Sequence, residues 1–163
     1  MSETNSNEPG SVASGIVRRV EAAPEVKELE IFLGNWINEG YLVESGGSGG
    51  KIVTSDVYEW APGGFFVLHS AYGRLAGADV GGIEILGYDQ ASREYRSWFF
   101  DSQGNVTVDE LRHPSEEIWV WQGEATRSTS IFSEGGKVQT THHERLDGEE
   151  WTPSMEVVLT TVH

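Results

Sequence analysis

The chain has 163 residues, enough for one domain with a substantial hydrophobic core. Its 26 acidic and 11 basic residues give a formal net charge of −15, which repels nucleic acids and anionic membrane surfaces, so neither is an expected partner. The absence of cysteine excludes disulfides and thiolate metal sites.

The beginning of the chain is polar, with Ser, Asn, Glu, Gly and Pro in quantity and one short apolar patch at Ile16-Val17. This composition buries too little apolar surface to offset the entropy of ordering, so we predict a disordered tail over residues 1–23 and a single domain over residues 24–163. The tail lacks the apolar core of a signal peptide, and no apolar run approaches the ~20 residues that span a bilayer. We therefore expect a cytoplasmic protein.

A short amphipathic helix is predicted over Pro24–Leu33. Proline suits the first helical position, Glu25 complements the positive end of the helix dipole, and Gly34 follows as a stop. The apolar side chains that share one helical face are Val26, Leu29, Phe32 and Leu33.

Ten runs of β-type residues follow the helix, and each ends at a turn that bears Gly, Pro, Asp or Ser. The runs are Asn35–Glu44, Lys51–Trp60, Gly64–Gly73, Gly82–Tyr88, Glu94–Asp101, Val106–Arg112, Glu117–Gly123, Arg127–Phe132, Lys137–Leu146 and Trp151–Val162. A sheet made of serial hairpins loses its exposed edges when it closes into a barrel. The sequence therefore predicts an all-β fold, an antiparallel up-and-down barrel of about ten strands that is wide enough to hold a small molecule.

Strand parity predicts which connectors share an end of this barrel. Two connectors after odd-numbered strands, Ser45–Gly50 and Leu75–Gly81, are predicted to be long and flexible. The helix leads directly into the first strand, so it lies at the opposite end, where its apolar face closes the barrel. The predicted shape is a cup with a helical floor and a mouth between flexible loops.

Alternation along a strand indicates which side chains face the interior. Trp36 is expected inside, close to the floor. The inward set of the ninth run is predicted to be Val138, Thr140, His142 and Glu144. The inward set of the tenth run is predicted to be Met155, Val157 and Leu159. In the third and fifth runs both faces remain open.

Four polar residues in the mouth-side half of their strands are candidates for acid–base catalysis: His69, Asp101, His142 and Glu144. A histidine paired with a carboxylate in an apolar cup can act as a general acid or base, since burial and pairing shift both pKa values. The alternative is structural, with the same residues tying strands together. No metal site is expected, because the adjacent His142 and His143 face opposite ways on a strand.

Aromatic residues are abundant, with six tryptophans, and an aromatic lining suits a planar or polyene ligand. The candidate ligand-binding residues are Tyr58, Trp60, Phe66, Trp98, Phe99, Trp119, Trp121, Met155 and, as a carboxylate anchor, Arg112. The alternative is that the aromatics pack the barrel core and walls, and that Arg112 forms a surface pair with Glu110. No serine elbow, phosphate loop or dinucleotide fingerprint is present, and no cofactor is expected.

Several short motifs occur in a characteristic order: Leu33-Gly34-Asn35-Trp36, Glu39-Gly40, Gly63-Gly64-Phe65-Phe66, Ile85–Asp89, and Tyr95–Ser102 with Gly104. This succession resembles a bacterial family of calycin-like (lipocalin-like) domains of unknown function, over roughly Val26 to Val162. The resemblance implies a barrel with Trp36 near its closed end. It brings no established catalytic residues.

The haem-binding nitrobindins look like more distant relatives, with a similar barrel and a proximal histidine in the last strand. The corresponding stretch here, Ser154–Leu159, has no histidine, so haem is not expected. Other small calycin-like barrels act as cofactor-free cyclases on polyketide-type substrates, which implies such an enzyme by analogy of fold only.

The leading hypothesis is a barrel that binds a small, largely apolar or aromatic molecule in its cavity. The alternative is a cofactor-independent isomerase, cyclase or lyase, acting on a natural-product or polyketide-type substrate through cavity histidines and carboxylates. A third class is an interaction protein that exposes an aromatic patch, or a homodimer formed across barrel walls.

Overall fold

The computed structural model describes residues 20–44, 47–75 and 77–162, which form a closed antiparallel barrel of ten strands behind a short helical segment. The helical segment is an α-helix (α1), Pro24–Lys27, that continues as a 3-10 helix, Glu28–Phe32. The strands are β1 Gly34–Glu44, β2 Gly47–Trp60, β3 Phe66–Leu75, β4 Ala78–Asp89, β5 Glu94–Asp101, β6 Val106–Ser115, β7 Ile118–Gln122, β8 Thr126–Ser133, β9 Val138–Asp147 and β10 Glu150–Val162. The predicted all-β barrel is confirmed, while residues 1–19 of the predicted tail lie outside the described residues.

Each strand pairs with its neighbour in sequence, and the first strand pairs with the last. The closing β1–β10 ladder runs from Asn35 opposite Val162 to Leu42 opposite Met155. A closed sheet has no free edge, so every strand of the described barrel has a partner on both sides. No helix in the described ranges is long and apolar enough to cross a membrane.

The helical segment Pro24–Phe32, called the plug below, closes the end of the barrel where even-numbered strands finish. Leu29 and Phe32 are fully buried, and Trp36 donates its indole N–H to the Phe32 carbonyl at 2.9 Å. Four rings of the barrel interior surround the Phe32 ring at centroid distances of 5.1 to 5.8 Å, from Tyr58, Trp119, Trp121 and Phe132. The predicted helical floor, with Trp36 beside it, is confirmed.

The end opposite the plug, called the mouth below, lacks the long loops that the sequence predicts. Residues 47–50 begin β2, and β3 continues to Leu75 with β4 starting at Ala78, so both predicted flexible connectors are shorter than expected. Ser45 and Gly46 lie outside the described residues. A Cβ at Gly49 would lie 2.8 Å from the Leu42 carbonyl oxygen, because glycine here permits a close approach of β1 and β2 rather than a loop.

Small residues line the mouth-side half of the interior. Gly40, Ala71 and Gly73 are members of the inward-facing sets of β1 and β3. A Cβ on Gly73 would lie 2.1 Å from the Val53 carbonyl oxygen, so the neighbouring backbone excludes any side chain there. The interior thus holds aromatic rings near the plug, whereas β1 and β3 contribute small residues toward the mouth.

The structure shows which side chains of β3, β5 and β10 face the barrel interior. The inward residues of β3 include Val67 and His69, and those of β5 include Ser97. In β10, Val157 and Leu159 are buried and Met155 packs against the core, which confirms the prediction.

The predicted facing of β9 was wrong, since the inward set is the opposite one. Gln139 and Thr141 are buried, whereas His142 is exposed. The cause is a polar interior: the Ser130 hydroxyl lies 2.7 Å from the Thr141 hydroxyl and accepts the Gln139 amide N–H at 3.0 Å. Hydrogen bonding, rather than apolar character, selects this face.

Candidate functional site

His69 lies at mid-height in the barrel interior, between two carboxyl groups. Its Nδ1 is 2.8 Å from Glu84 Oε2, and its Nε2 is 3.0 Å from Asp56 Oδ2. Strand pairing creates this arrangement, because Glu84 lies directly opposite His69 on β4 and Asp56 lies on the adjacent strand β2. The three residues, called the triad below, are each at most 8 % exposed.

The triad holds its histidine in the charged form. Burial alone would lower the pKa of His69, but the hydrogen bonds to Asp56 and Glu84 and their charges raise it to about 9. The imidazolium then donates one N–H to each carboxyl group. The Tyr58 ring stacks on the imidazole at a centroid distance of 3.8 Å and an interplanar angle of 7°. Burial, and the charges of Glu84 and Asp56, raise the pKa of this tyrosine, so it stays protonated.

Glu84 connects the triad to the rest of the interior. Its Oε1 accepts hydrogen bonds from the Ser97 hydroxyl at 2.5 Å and from the Trp121 indole N–H at 2.7 Å. Burial acts to raise the pKa of Glu84, but the hydrogen bond and charge of His69, with these two donors, bring it below its ordinary value. Glu84 is therefore a fully bonded carboxylate at neutral pH.

Two further titratable groups face the same interior. Asp109 lies opposite Ser97 on β6, and burial and the charge of Glu84 raise the pKa of its carboxyl group. Its buried Oδ1 has no hydrogen-bond partner among the described residues. On the opposite wall, His143 Nδ1 lies 2.6 Å from the Ser128 hydroxyl, and burial lowers the pKa of His143 to about 4, so its ring is neutral at pH 7.

Of the four predicted catalytic residues, the structure places only His69 in this interior. His142 and Glu144 were predicted to face inward but lie on the outer wall, where His142 contacts Glu156, and Glu144 accepts the Arg127 Nε–H at 2.7 Å. Asp101 ends β5, and its carboxylate accepts the backbone N–H groups of Gln103 and Asn105 in the following turn. The predicted quartet therefore does not assemble.

The predicted ligand-binding residues divide into three groups. Those packed in the core around the plug are Tyr58, Trp60, Trp119 and Trp121, the last of which also donates to Glu84. Those facing the interior elsewhere are Phe99 and Met155. Those on the outer wall, contrary to the expectation of a lining role, are Phe66, Trp98 and Arg112. The alternation of side chains along a strand explains the last group, because Ser97 and Leu111 face inward and their neighbours Trp98 and Arg112 therefore face out. On the outer wall, Arg112 donates two hydrogen bonds of 2.9 Å to Glu110.

The sequence reading missed Asp56, Glu84, Asp109 and His143. A usable signal exists for Glu84, which is the single charged residue in the apolar strand Gly82–Tyr88. Asp56 is likewise the one acidic residue on a strand face with Ile52 and Tyr58. Among the residues described, no set of three or more His, Cys, Asp or Glu side chains is arranged to hold a metal ion.

These features define a closed antiparallel β-barrel with one plugged end and a buried charged cluster in its interior, a fold suited to ligand binding. The chain belongs to DUF1579, a family of proteins of unknown function, whose profile matches residues 21–158. A search of curated proteins gave no match to the sequence. The resemblance to calycin-like domains and nitrobindins stays a prediction.

Proposed function

We propose that the protein binds a small molecule in the mouth-side half of the barrel, with a polar group of the ligand directed at the triad and an apolar or aromatic body against the walls. The observation that carries the proposal is the buried Asp56–His69–Glu84 triad. Burying three titratable groups is costly, and a merely structural core would gain more from apolar side chains. Their position between the filled floor and the small residues of the mouth favours a ligand-facing role.

The chemistry of the interior favours a ligand group that donates hydrogen bonds or carries positive charge. Unpaired acceptors outnumber unpaired donors: the oxygens Asn38 Oδ1, Asp109 Oδ1 and Gln139 Oε1 are buried without a partner among the described residues, against the nitrogens Trp119 Nε1 and His113 Nε2. No lysine or arginine is buried within the described ranges, so His69 supplies the one buried cation there. An ammonium or amidine group complements such a surface.

The apolar part of the ligand would contact residues between the triad and the mouth. Ile52 is buried on β2, Phe99 is half-buried on β5, and Met155 is half-buried on β10. These side chains come from separated strands of the barrel, so together they surround the axis. A flexible thioether beside flat aromatic rings accommodates a planar body.

Two probes of the same shape and opposite charge test this proposal. Tryptamine and indole-3-propionate share an indole ring and a two-carbon arm, but one ends in ammonium and the other in carboxylate. At a large excess over its dissociation constant, tryptamine is expected to raise the melting temperature by about 5 °C, whereas indole-3-propionate leaves it unchanged. Thermal unfolding followed by circular dichroism measures both.

Matched aspartate variants separate local contact from overall charge. Asp109→Asn is expected to weaken tryptamine binding about tenfold, because it removes a carboxylate partner of the ammonium. Asp79→Asn changes the net charge equally on the exposed surface and should leave binding unchanged. Equal melting shifts with the two probes, or no shift with either, would reject a cation-selective cavity.

The second candidate is cofactor-independent acid–base catalysis, as in an isomerase, cyclase or lyase. It is favoured by Asp109, whose raised pKa and unpartnered Oδ1 suit proton transfer, and by the neutral His143 facing the same interior. Titratable groups whose pKa values are pushed apart are typical of acid–base pairs. His69 suits this role less well, because both of its ring nitrogens are already hydrogen-bonded.

Hydrogen exchange into a retained ligand tests the enzymatic candidate. A ligand found by native mass spectrometry of protein from its own host would be incubated with the protein in D₂O and followed by NMR. Catalysis predicts deuterium at one carbon, and Asp109→Asn is expected to slow this incorporation about 100-fold at saturating ligand. Absence of deuterium incorporation with the parent protein would leave binding as the function.

A further inference from the structure

The outer face of β3, β4, β5 and β6 carries a mostly apolar surface, called the apolar wall below, with Ser70 as a polar residue between Leu68 and Tyr72. Its members are Phe66, Leu68, Tyr72, Ile83, Ile85, Trp98, Phe100, Val106 and Val108. Strand pairing aligns them in rows, so that Ile83, Phe100 and Val106 lie side by side across three strands. These three side chains are 54 %, 44 % and 62 % exposed.

The size of the apolar wall is close to what a stable interface requires. Six of its side chains are more than two-fifths exposed, namely Phe66, Tyr72, Ile83, Phe100, Val106 and Val108. At about 100 Å² each they present roughly 600 Å², which matches the largest patches on ordinary monomers and approaches the ~800 Å² that each partner buries in a standard interface. The half-buried Trp98 and the flanking charged residues extend this area.

The charges around the apolar wall nearly balance, although the chain as a whole is strongly acidic. Arg74 pairs with Asp79 at the mouth end, while Arg96 pairs with Glu94 and Arg112 with Glu110 nearer the plug. Glu59 on β2, opposite Leu68, adds one further carboxylate, so three positive and four negative groups border a surface that carries no charge itself. A protein of net charge −15 repels its own copies over most of its surface, but not here.

The opposite side of the barrel makes a useful contrast. On the outer face of β10, β1 and β2, apolar residues alternate with charged ones, since Glu39 lies between Val53 and Val158 in the ladder. Tyr41 likewise lies between Lys51 and Glu156. This face cannot bury a continuous apolar area without also burying charges.

We infer that the apolar wall is the docking surface for a second copy of this chain. The pairing is isologous: the same wall from two protomers packs face to face about a twofold axis, as sheets pack in sandwiches. A second copy fits best because the wall itself carries no charge, whereas a basic partner would find little acidic attraction there. Pairing through this wall leaves the barrel interior untouched, whatever it binds.

Sedimentation velocity of the full chain tests this inference. The parent protein is expected to sediment as a dimer, and Phe100→Glu is expected to weaken the dimer at least tenfold by placing an unpaired charge in its centre. Val158→Glu is the matched control, because Val158 is 42 % exposed and lies on β10, diametrically opposite β5 in the strand order. It should remain dimeric.

Two additional measurements keep the test decisive. Val106→Glu repeats the disruption from another strand, and thermal melts of all variants verify that the barrels are folded. Added salt is expected to strengthen the dimer, because it screens the repulsion between two acidic chains. The assignment would be overturned by any of three results: a monomeric parent protein, a Val158→Glu control that dissociates as much as Phe100→Glu, or a dimer that dissociates when salt is added.

Discussion

Replacing His69 by alanine is expected to lower the free energy of unfolding by about 3–5 kcal/mol at neutral pH. The substitution leaves Asp56 and Glu84, on the two strands that flank β3, buried without the imidazolium that lies between them at 3.0 and 2.8 Å. An uncompensated buried charge is among the most destabilising changes known in proteins. Urea denaturation followed by tryptophan fluorescence measures the loss.

His142→Ala is the matched control for this experiment. It removes the same side chain from the outer wall, where His142 is exposed beside Glu156, and it should cost less than about 1 kcal/mol. Adding Glu84→Gln to the His69→Ala variant should restore part of the lost stability, since one of the two carboxyl groups then carries no charge. Equal losses for the two histidine variants would contradict a buried ionic triad.

The stability of the parent protein is expected to fall by about 3 kcal/mol as the pH rises from 6.5 to about 9. The pKa of His69 is raised above its unfolded value of 6.5, so its contribution is complete below pH 6.5 and is lost as the pH passes through the folded value. Denaturant titrations at half-unit pH intervals give the curve. A flat curve over this window would show that His69 is not held as an imidazolium.

The acid side of the same curve has a different origin. The pKa of His143 is lowered to about 4, so stability is also lost as the pH falls from 6.5 toward 4. Glu84 acts in the same direction, because its lowered pKa contributes stability above its ordinary value of 4.5 that is lost on acidification. Maximum stability is therefore expected near pH 6.5. His69→Ala should abolish the alkaline limb and also remove the Glu84 part of the acid limb, because His69 is the main group that lowers the pKa of Glu84.

The strand order and the plug could be predicted because their signals are local. Turn residues mark the ends of each strand, and Leu29 and Phe32 share a face of the segment that enters β1. The glycine-rich stretches at the mouth misled the prediction, since Gly49 and Gly81 serve close strand approach rather than loop flexibility. Glycine is ambiguous in this respect until the neighbouring backbone is known.

The site was predicted only in part, because its interior is polar. The inward face of a strand is predicted from the contrast between an apolar and a polar set of alternate side chains. Strand β9 has no such contrast, because Gln139, Thr141 and His143 face in while Val138 and Thr140 face out. A slip by one residue then exchanges His142 for His143. Asp56 and Glu84 come from separate strands, so only the β2–β3–β4 register brings them to His69.

The seam between β1 and β10 has a consequence for how this barrel forms and opens. In the described chain it is the one ladder that joins strands distant in sequence, whereas all others join successive hairpins. Closing this ladder has the largest entropic cost of loop closure, so we expect it to form last during folding and to open first in native fluctuations. Because β1 also pairs with β2, where Asp56 lies opposite Trp36, transient opening of this ladder loosens the wall next to the buried triad and admits solvent from the side.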